Sequence, residues 1–133
     1  MSLVKPYGSL LPYQYVVLRF VPRIDRAEFV NVGVVLHCDE VHYLDAACHV
    51  REEAVEALAP GADLAALRAA LETVGAVCRG EVGRGQPELP TAGRRFGWLA
   101  AARNTSVQPS PVHGGLTTAP GVTLLELLDR YVR

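Results

Sequence analysis

The sequence predicts a single α+β domain, in which an antiparallel meander sheet of three or four strands packs against two or three helices. The first part of the chain holds three short apolar segments rich in β-branched and aromatic residues, which favour strands. The remainder changes to the apolar spacing of helices. At 133 residues, half of them apolar, the chain has the size of one domain with one core.

The three strands are predicted over residues 13–21, 28–38 and 41–48. Their connections are short, which favours an antiparallel meander. The second segment, EFVNVGVVLHC, is apolar at both sets of alternate positions. Such a strand is usually covered on both faces, so we expect packing on either side of it.

The helical part begins with a short helix over residues 51–59. A longer helix follows Asp63, a good N-cap, and residues 94–102 fit a helical turn. The last helix starts near Pro120 with Thr118 as its cap, and its many leucines must dock on the sheet or on a partner. The apolar stripe of the longer helix consists of Leu64, Leu67, Leu71, Val74, Val77 and Cys78.

The remaining segments predict irregular structure. We expect residues 1–12 to form a loose N-terminal arm before a domain that spans residues 13–133. Residues 80–93 are rich in glycine and proline and predict a mobile loop. The run NTSVQPSPVHGG, residues 104–115, predicts a strand at the sheet edge, because Pro109 is tolerated at an edge or a strand end. Its glycine pair is expected to release the chain from the sheet.

The charge balance disfavours whole classes of partner. The net charge is -1, from 13 basic and 14 acidic residues, so we do not expect nucleic-acid binding. No apolar run is long enough for a membrane-spanning helix, and the N-terminus does not read as a signal peptide. We therefore expect a cytoplasmic protein without a membrane partner.

The pairs His37-Cys38 and Cys48-His49 look at first like the four ligands of a zinc site. If Asp39 and Glu40 form a two-residue turn, however, Cys38 pairs with Val41 and Cys48 with Asn31, which places the cysteines too far apart for one metal ion. The same register places His37 opposite His42, and we expect both to face water near the end of a strand. We predict no metal site and no cofactor.

Ser110 and His113 suggest a nucleophile and its base. Serine catalysis also requires an orienting group and oxyanion donors, and Pro111 supplies no N–H beside Ser110. We expect the hydroxyls of this segment to satisfy backbone groups where the chain leaves a strand. The sequence thus favours a protein that is not an enzyme, although it does not decide the question.

Arg19 lies inside an apolar strand, where a guanidinium is costly unless it is paired or half exposed. One interpretation is a structural contact with Glu28 or Asn31. The other is an anion-binding pocket for a phosphorylated or nucleotide-like ligand, as in a small enzyme or binding domain. The residues of that pocket would be Arg19, Arg103, Gln108, Ser110 and His113.

Glycine inside a strand costs backbone entropy and has no side chain to pack, so we expect a close packing contact to explain Gly33. We expect Asn31 and Gly33 to share one face of the hairpin, with small residues opposite. An aromatic ring or the last helix would fill the resulting trough, and Asn31 would hydrogen-bond the chain that crosses it. Gly33 is thus predicted to be a packing position.

Three motifs, Y-x-Y-x-V-L-R, E-F-V-N-V-G-V and Q-P-S-P-V-H-x-G, together with the leucine-rich last helix, resemble the bacterial family called domain of unknown function 3037. The resemblance runs from about Tyr13 to the C-terminus. It implies no established activity and no catalytic residues to transfer. Asn104 and Gly114 stand where the family is expected to have serine and threonine. The family is associated with genes for HipA-like kinases, which implies an accessory or regulatory role.

These observations favour a non-catalytic interaction or regulatory module that acts with a HipA-like kinase or another protein. The last helix is apolar around most of its circumference and the sequence has no catalytic constellation, and both features favour an interaction module. A homodimer remains open as an assembly. The alternative is the anion-binding domain built around Arg19.

Overall fold

The computed structural model describes residues 8–81, 88–101 and 105–133. Within these residues the chain forms five strands and four helices. The strands are β1 (Leu11–Phe20), β2 (Val30–Cys38), β3 (Tyr43–Cys48), β4 (Val107–Pro109) and β5 (His113–Thr117). The helices are α1 (Glu52–Leu58), α2 (Leu64–Cys78), α3 (Ala92–Ala100) and α4 (Pro120–Tyr131). The predicted α+β fold is confirmed, with one strand and one helix more than expected.

The sheet is antiparallel throughout, in the order β3-β2-β1. Beyond β1 lie two short strands. Residues 18–20 of β1 pair with β4, and residues 11–15 pair with β5. Strands β4 and β5 therefore form one edge of the sheet, interrupted at residues 110–112. The predicted exit at the glycine pair is wrong, because Gly114 and Gly115 lie within β5 and pair with β1.

Both faces of the sheet are covered, and β2 is buried along almost its whole length. Helices α1, α2 and α3 pack on one face, which we call the three-helix face; helix α4 packs on the other, the α4 face. The three-helix core includes Val16, Leu18, Phe20, Val32, Val35, Val55, Leu67, Leu71 and Phe96. The α4 core includes Tyr15, Val17, Val34, Leu36, Leu124, Leu127 and Leu128.

The helix caps were predicted with mixed success. The Asp63 carboxylate accepts a hydrogen bond from the backbone N–H of Ala66 at 2.9 Å, as expected for the N-cap of α2. At α4 the predicted cap, Thr118, is wrong. The N-cap position is Ala119, which makes no side-chain capping bond, and the Thr117 hydroxyl accepts a hydrogen bond from the Ala119 N–H.

Most leucines of helix α4 pack against the sheet. Leu124, Leu127 and Leu128 are buried against the α4 face, while Leu125 and Tyr131 are exposed. The docking of α4 on the sheet is confirmed. Packing on the sheet thus accounts for most of the apolar side chains around α4, without a partner.

The connection between β2 and β3 is longer than the predicted two-residue turn. A 3-10 turn occupies Asp39–Val41, and His42 follows in the left-handed conformation with φ 54°. The pairing is shifted accordingly, so that His37 lies opposite Leu44 rather than His42. A shift by two residues preserves the faces of both strands.

A β-bulge in β2 overturns one prediction about faces. Leu18 pairs with Gly33 and Arg19 with Asn31, which leaves Val32 as the extra residue. The alternation of faces inverts there. Asn31 therefore lies on the α4 face and Gly33 on the three-helix face, so the expectation that they share a face is wrong.

Neighbouring side chains fill the space above Gly33. A Cβ at Gly33 would stand 2.9 Å from Cys48 Sγ, 3.1 Å from the Ala47 carbonyl oxygen and 3.3 Å from Leu18 Cδ1. Gly33 thus occupies a close-packed position, although neither an aromatic ring nor α4 covers it. Cys48 is its cross-strand partner, not that of Asn31 as predicted.

Two predicted segments fall partly outside the described residues. Residues 1–7 of the arm and 82–87 of the loop are not among them, and β1 already begins at Leu11, inside the predicted arm. Across the described ranges, no helix has the length and apolar character to span a membrane.

Candidate functional site

The structure places three of the predicted pocket residues on the α4 face. Gln108 lies directly opposite Arg19, and His113 lies directly opposite Tyr15. Arg19 and Tyr15 are four residues apart on β1, a separation of about 13 Å along the strand. Arg19 and His113 therefore share a face but do not converge. Arg103 lies outside the described residues.

Arg19 contacts the ring of Phe29, the residue just before β2. Its guanidinium carbon lies 4.2 Å from the centroid of the Phe29 ring, which is a cation–π contact. Its Nε is buried without a hydrogen-bond partner among the described residues. Neither predicted partner binds it, because Glu28 accepts from Arg26 and the Asn31 amide donates to the Tyr131 carbonyl at 2.9 Å.

Ser110 joins the broken edge to β1. The Ser110 N–H donates to the carbonyl of Val17 at 2.7 Å, and the Val17 N–H donates to Ser110 Oγ at 2.8 Å. The hydroxyl itself donates to the carbonyl of Pro111. Ser110 Oγ thus takes the place of a backbone acceptor in the ladder, a structural role of the kind expected for this segment.

The histidines of the β2–β3 hairpin lie apart. His37 is buried, with its ring 5.3 Å from that of Phe96 in α3, so the expectation that it faces water is wrong. Burial lowers the pKa of His37, although the Asp39 carboxylate 3.4 Å away acts in the opposite direction. Among the described residues, no three His, Cys, Asp or Glu side chains are grouped closely enough to hold a metal ion.

Residues 105–107 and Pro109 border a cleft. The cleft has a volume of about 280 Å³ and lies between β4, α2 and α3. Its lining residues are Leu18, Ala70, Thr73, Val74, Trp98, Leu99, Thr105, Ser106, Val107 and Pro109. None of the predicted pocket residues is among them, so this cleft is not the anion site that the sequence suggested.

The sheet has two edges, one formed by β3 and the other by β4 and β5, and they differ in which outward backbone groups have hydrogen-bond partners. An edge strand directs every second N–H and C=O away from the sheet, where another strand can bind them. On β3 the residues that pair with β2 through hydrogen bonds are the odd-numbered ones, because His49 N–H donates to Val32 on the same side. The outward N–H of Ala46 donates to the Asp45 carboxylate at 2.8 Å, so a charged side chain occupies the middle of that edge.

Strand β4 is closed in a different way. Its outward-facing residues are Val107 and Pro109, since Gln108 is the one that exchanges bonds with β1. The Val107 carbonyl accepts from the Thr105 hydroxyl at 2.9 Å, and Pro109 has no N–H to offer. This half of the edge cannot easily accept another strand.

Strand β5 is left open. The N–H and C=O groups of Val17, Tyr15 and Tyr13 point to this side of β1, so His113, Gly115 and Thr117 bond inward. Gly114 and Leu116 then direct their backbone groups outward. Within the described part of the chain, no strand or side chain bonds to them.

Apolar side chains surround this open edge. Leu116 is 62% exposed and lies on the three-helix face opposite Pro12. Leu10, just before β1, is 60% exposed, and Val112, just before β5, is 46% exposed. We call the backbone of Gly114 and Leu116, with these three side chains, the β5 edge. Exposed apolar residues gathered at an unpaired edge mark a protein-binding surface or an aggregation hazard.

An aromatic cluster supports β5 from the α4 face. The Tyr13 ring covers Gly115, since a Cβ there would stand 2.6 Å from the Tyr13 hydroxyl oxygen. The Tyr15 ring lies 6.0 Å from that of Tyr13, 5.5 Å from His113 and 6.2 Å from Tyr131. Burial, and next the Tyr131 hydroxyl, raise the pKa of Tyr15 to about 12, so its phenol stays protonated near neutral pH.

Sequence reasoning missed the β5 edge. The sequence predicts that the strand ends at the glycine pair, so Leu116 falls outside the predicted strand. One signal was available, because no Asp, Glu, Lys or Arg occurs from residue 104 to residue 125. In a chain that is 20% charged, an uncharged stretch of that length is unusual, and β5 lies within it.

Comparison with protein-family models identifies the family of this chain. The family model described as protein of unknown function (DUF3037) matches residues 15–132. The chain belongs to this family. The match to DUF3037 covers the described strands and helices almost completely, from Tyr15 in β1 to Val132 after α4. No curated protein and no solved structure matches the chain.

Proposed function

We propose that this member of DUF3037 is a non-catalytic interaction module of the bacterial cytoplasm, which regulates a protein partner by accepting an extended segment of that partner at the β5 edge. The observation that carries the proposal is the outward-facing backbone of Gly114 and Leu116. Strand addition to an open edge supplies affinity through main-chain hydrogen bonds and specificity through alternate side chains.

The chemistry of the edge specifies the partner segment in part. Side chains of the added strand that face the three-helix side would meet Leu116 and Val112, so apolar residues fit there. Those on the α4 side would meet His113 and the Tyr13 ring. The family's association with genes for HipA-like kinases makes such a kinase the partner to test first.

The anion-binding alternative has less support. The Ser110 hydroxyl is engaged with the backbone of Val17 and Pro111, which removes it as a nucleophile. Arg19 stacks on Phe29, and about 13 Å of strand separates it from the position of His113. These residues do not converge on one small ligand.

The test is co-expression with a HipA-like kinase, followed by size-exclusion chromatography. The wild-type chain is expected to elute with the kinase. Leu116→Asp places a charge in the edge and is expected to abolish co-elution. Leu125→Asp is the matched control, because Leu125 is an exposed leucine (43%) on α4. Separate elution of the wild-type proteins at micromolar concentration would contradict the proposal.

A further inference from the structure

We infer that the β5 edge also binds a second copy of this chain, so that two sheets join into one across a two-fold axis at Gly115. This inference rests on the proposed function in one respect, since both assign the β5 edge as the binding surface. The second copy would occupy the position of the partner strand, and the dimer would be the form that a partner segment displaces.

The backbone of β5 is self-complementary. In an antiparallel pair, residues exchange both of their hydrogen bonds only if both point toward each other. With the axis at Gly115, the outward groups of Gly114 meet those of Leu116 in the second copy, and the reverse pair follows by symmetry. Each of these pairs would exchange two hydrogen bonds, as in any antiparallel ladder.

The side chains on the three-helix face complement one another in the same register. Leu116 is large and 62% exposed, while Gly114, two residues away on that face, has no side chain. Antiparallel pairing places Leu116 of each copy over Gly114 of the other. Both leucines would then be covered by the neighbouring strand and by Gln14, which lies opposite Gly114 within each sheet.

The axis itself can be approached closely. Gly115 would face Gly115 of the second copy as a non-hydrogen-bonded pair, the arrangement with the shorter Cα separation of about 4.5 Å. With no side chain at this position, the two backbones meet without a clash. The Tyr13 ring already lies over Gly115 in each copy and would border the axis on the α4 face.

Charge also favours a second copy at this edge. In a two-fold contact both copies bring the same charges close to the axis, so an edge with charges of one sign repels its equivalent. Strand β5 and its flanks carry no Asp, Glu, Lys or Arg from residue 104 to residue 125. By contrast, β3 carries Asp45 at its outer edge and would repel a copy of itself.

The contact is small, so the expected dimer is weak. One short strand and a few apolar side chains bury less than the roughly 1,600 Å² of a standard interface, and we expect dissociation in the micromolar range. A weak dimer is compatible with exchange for a partner segment.

Sedimentation velocity of the purified chain, without any kinase, tests the inference over a range of about 5 to 500 µM. Wild type is expected to pass from monomer to dimer, Leu116→Asp to stay monomeric, and Leu125→Asp to dimerise as wild type does. Amide hydrogen exchange across the same range provides a second measurement. The N–H groups of Gly114 and Leu116 are expected to exchange more slowly in the dimer.

The possible results distinguish dimer formation from kinase binding. A wild-type chain that stays monomeric throughout would overturn the inference, and so would a dimer in which these two amides exchange as fast as in the monomer. Because hydrogen exchange uses the wild-type chain, the result does not depend on the folding of a variant. Loss of the dimer with retained kinase binding would leave the proposed function standing, and the reverse result would leave the dimer standing.

Discussion

The ring of Tyr13 lies directly over Gly115 on the neighbouring strand, so close that a Cβ at Gly115 would stand 2.6 Å from the hydroxyl oxygen and 2.7 Å from Cζ. Aromatic rings that cover glycines in paired strands restore packing that the glycine lacks. This contact explains how β5 remains paired with β1 despite two consecutive glycines.

Gly115→Ala is expected to destabilise the domain by about 1 kcal/mol, because the half-buried Tyr13 ring must move away from its strand partner. Urea denaturation measures this loss. In a Tyr13→Ala background the same substitution should cost nothing, since the clash is gone. Gly97→Ala is the control, because nothing lies within 4 Å of a Cβ there and alanine favours helix α3. Equal stability of Gly115→Ala and wild type would contradict the packing.

Gly33→Val is expected to lower the free energy of unfolding by about 1–3 kcal/mol through overpacking. The new side chain would meet Cys48 Sγ and the fixed carbonyl oxygen of Ala47. Thermal unfolding is the measurement, and Cys48→Ala in the same chain should recover part of the loss. If Gly33→Val kept the wild-type midpoint but abolished partner binding, Gly33 would belong to a functional surface instead.

Ser110→Ala is expected to cost about 1–3 kcal/mol, because the buried N–H of Val17 loses its acceptor. Ser106→Ala is the matched control, since Ser106 is exposed and contributes only its carbonyl to the ladder. Chemical denaturation of both variants separates the two effects. A Ser110→Ala chain as stable as the control would show that the hydroxyl does not complete the ladder.

The stability of the domain is expected to fall as the pH drops below the ordinary histidine pKa of 6.5. Burial lowers the pKa of His37 in the folded state, so the unfolded chain takes up a proton first. The contribution of the neutral imidazole is complete above pH 6.5 and is lost as the pH falls through the lowered folded pKa. Melting temperatures of wild type and His37→Phe against pH measure it.

The control for that series is His49→Gln, because His49 is exposed. His37→Phe should lose this component of the pH dependence while keeping the ring contact with Phe96, and His49→Gln should follow wild type. An unchanged pH profile in His37→Phe would assign the effect to other groups.

The sequence was a good guide where the side-chain pattern determines structure. Strands β1 to β3 and helices α1 and α2 follow from β-branched runs and apolar stripes, and Asp63 fixed the start of α2. Strand β5 was missed for a physical reason, since Gly114 and Gly115 have no side chains to show the alternation that identifies a strand.

Local backbone geometry accounts for most of the remaining errors. The left-handed His42 lengthened a turn that looked like two residues and shifted the register of β3. The bulge at Val32 moved Asn31 to the other face from Gly33. Neither feature has a strong sequence signal, because both depend on how neighbouring strands twist and pair.

The central claim is that the backbone of Gly114 and Leu116 binds a strand from another protein. Amide hydrogen exchange in the complex with a HipA-like kinase tests it most directly, at a concentration where the chain alone sediments as a monomer. The account predicts slowed exchange at the N–H groups of Gly114 and Leu116 in the complex, relative to the free chain. A stable complex in which both amides exchange as fast as in the free chain would contradict it.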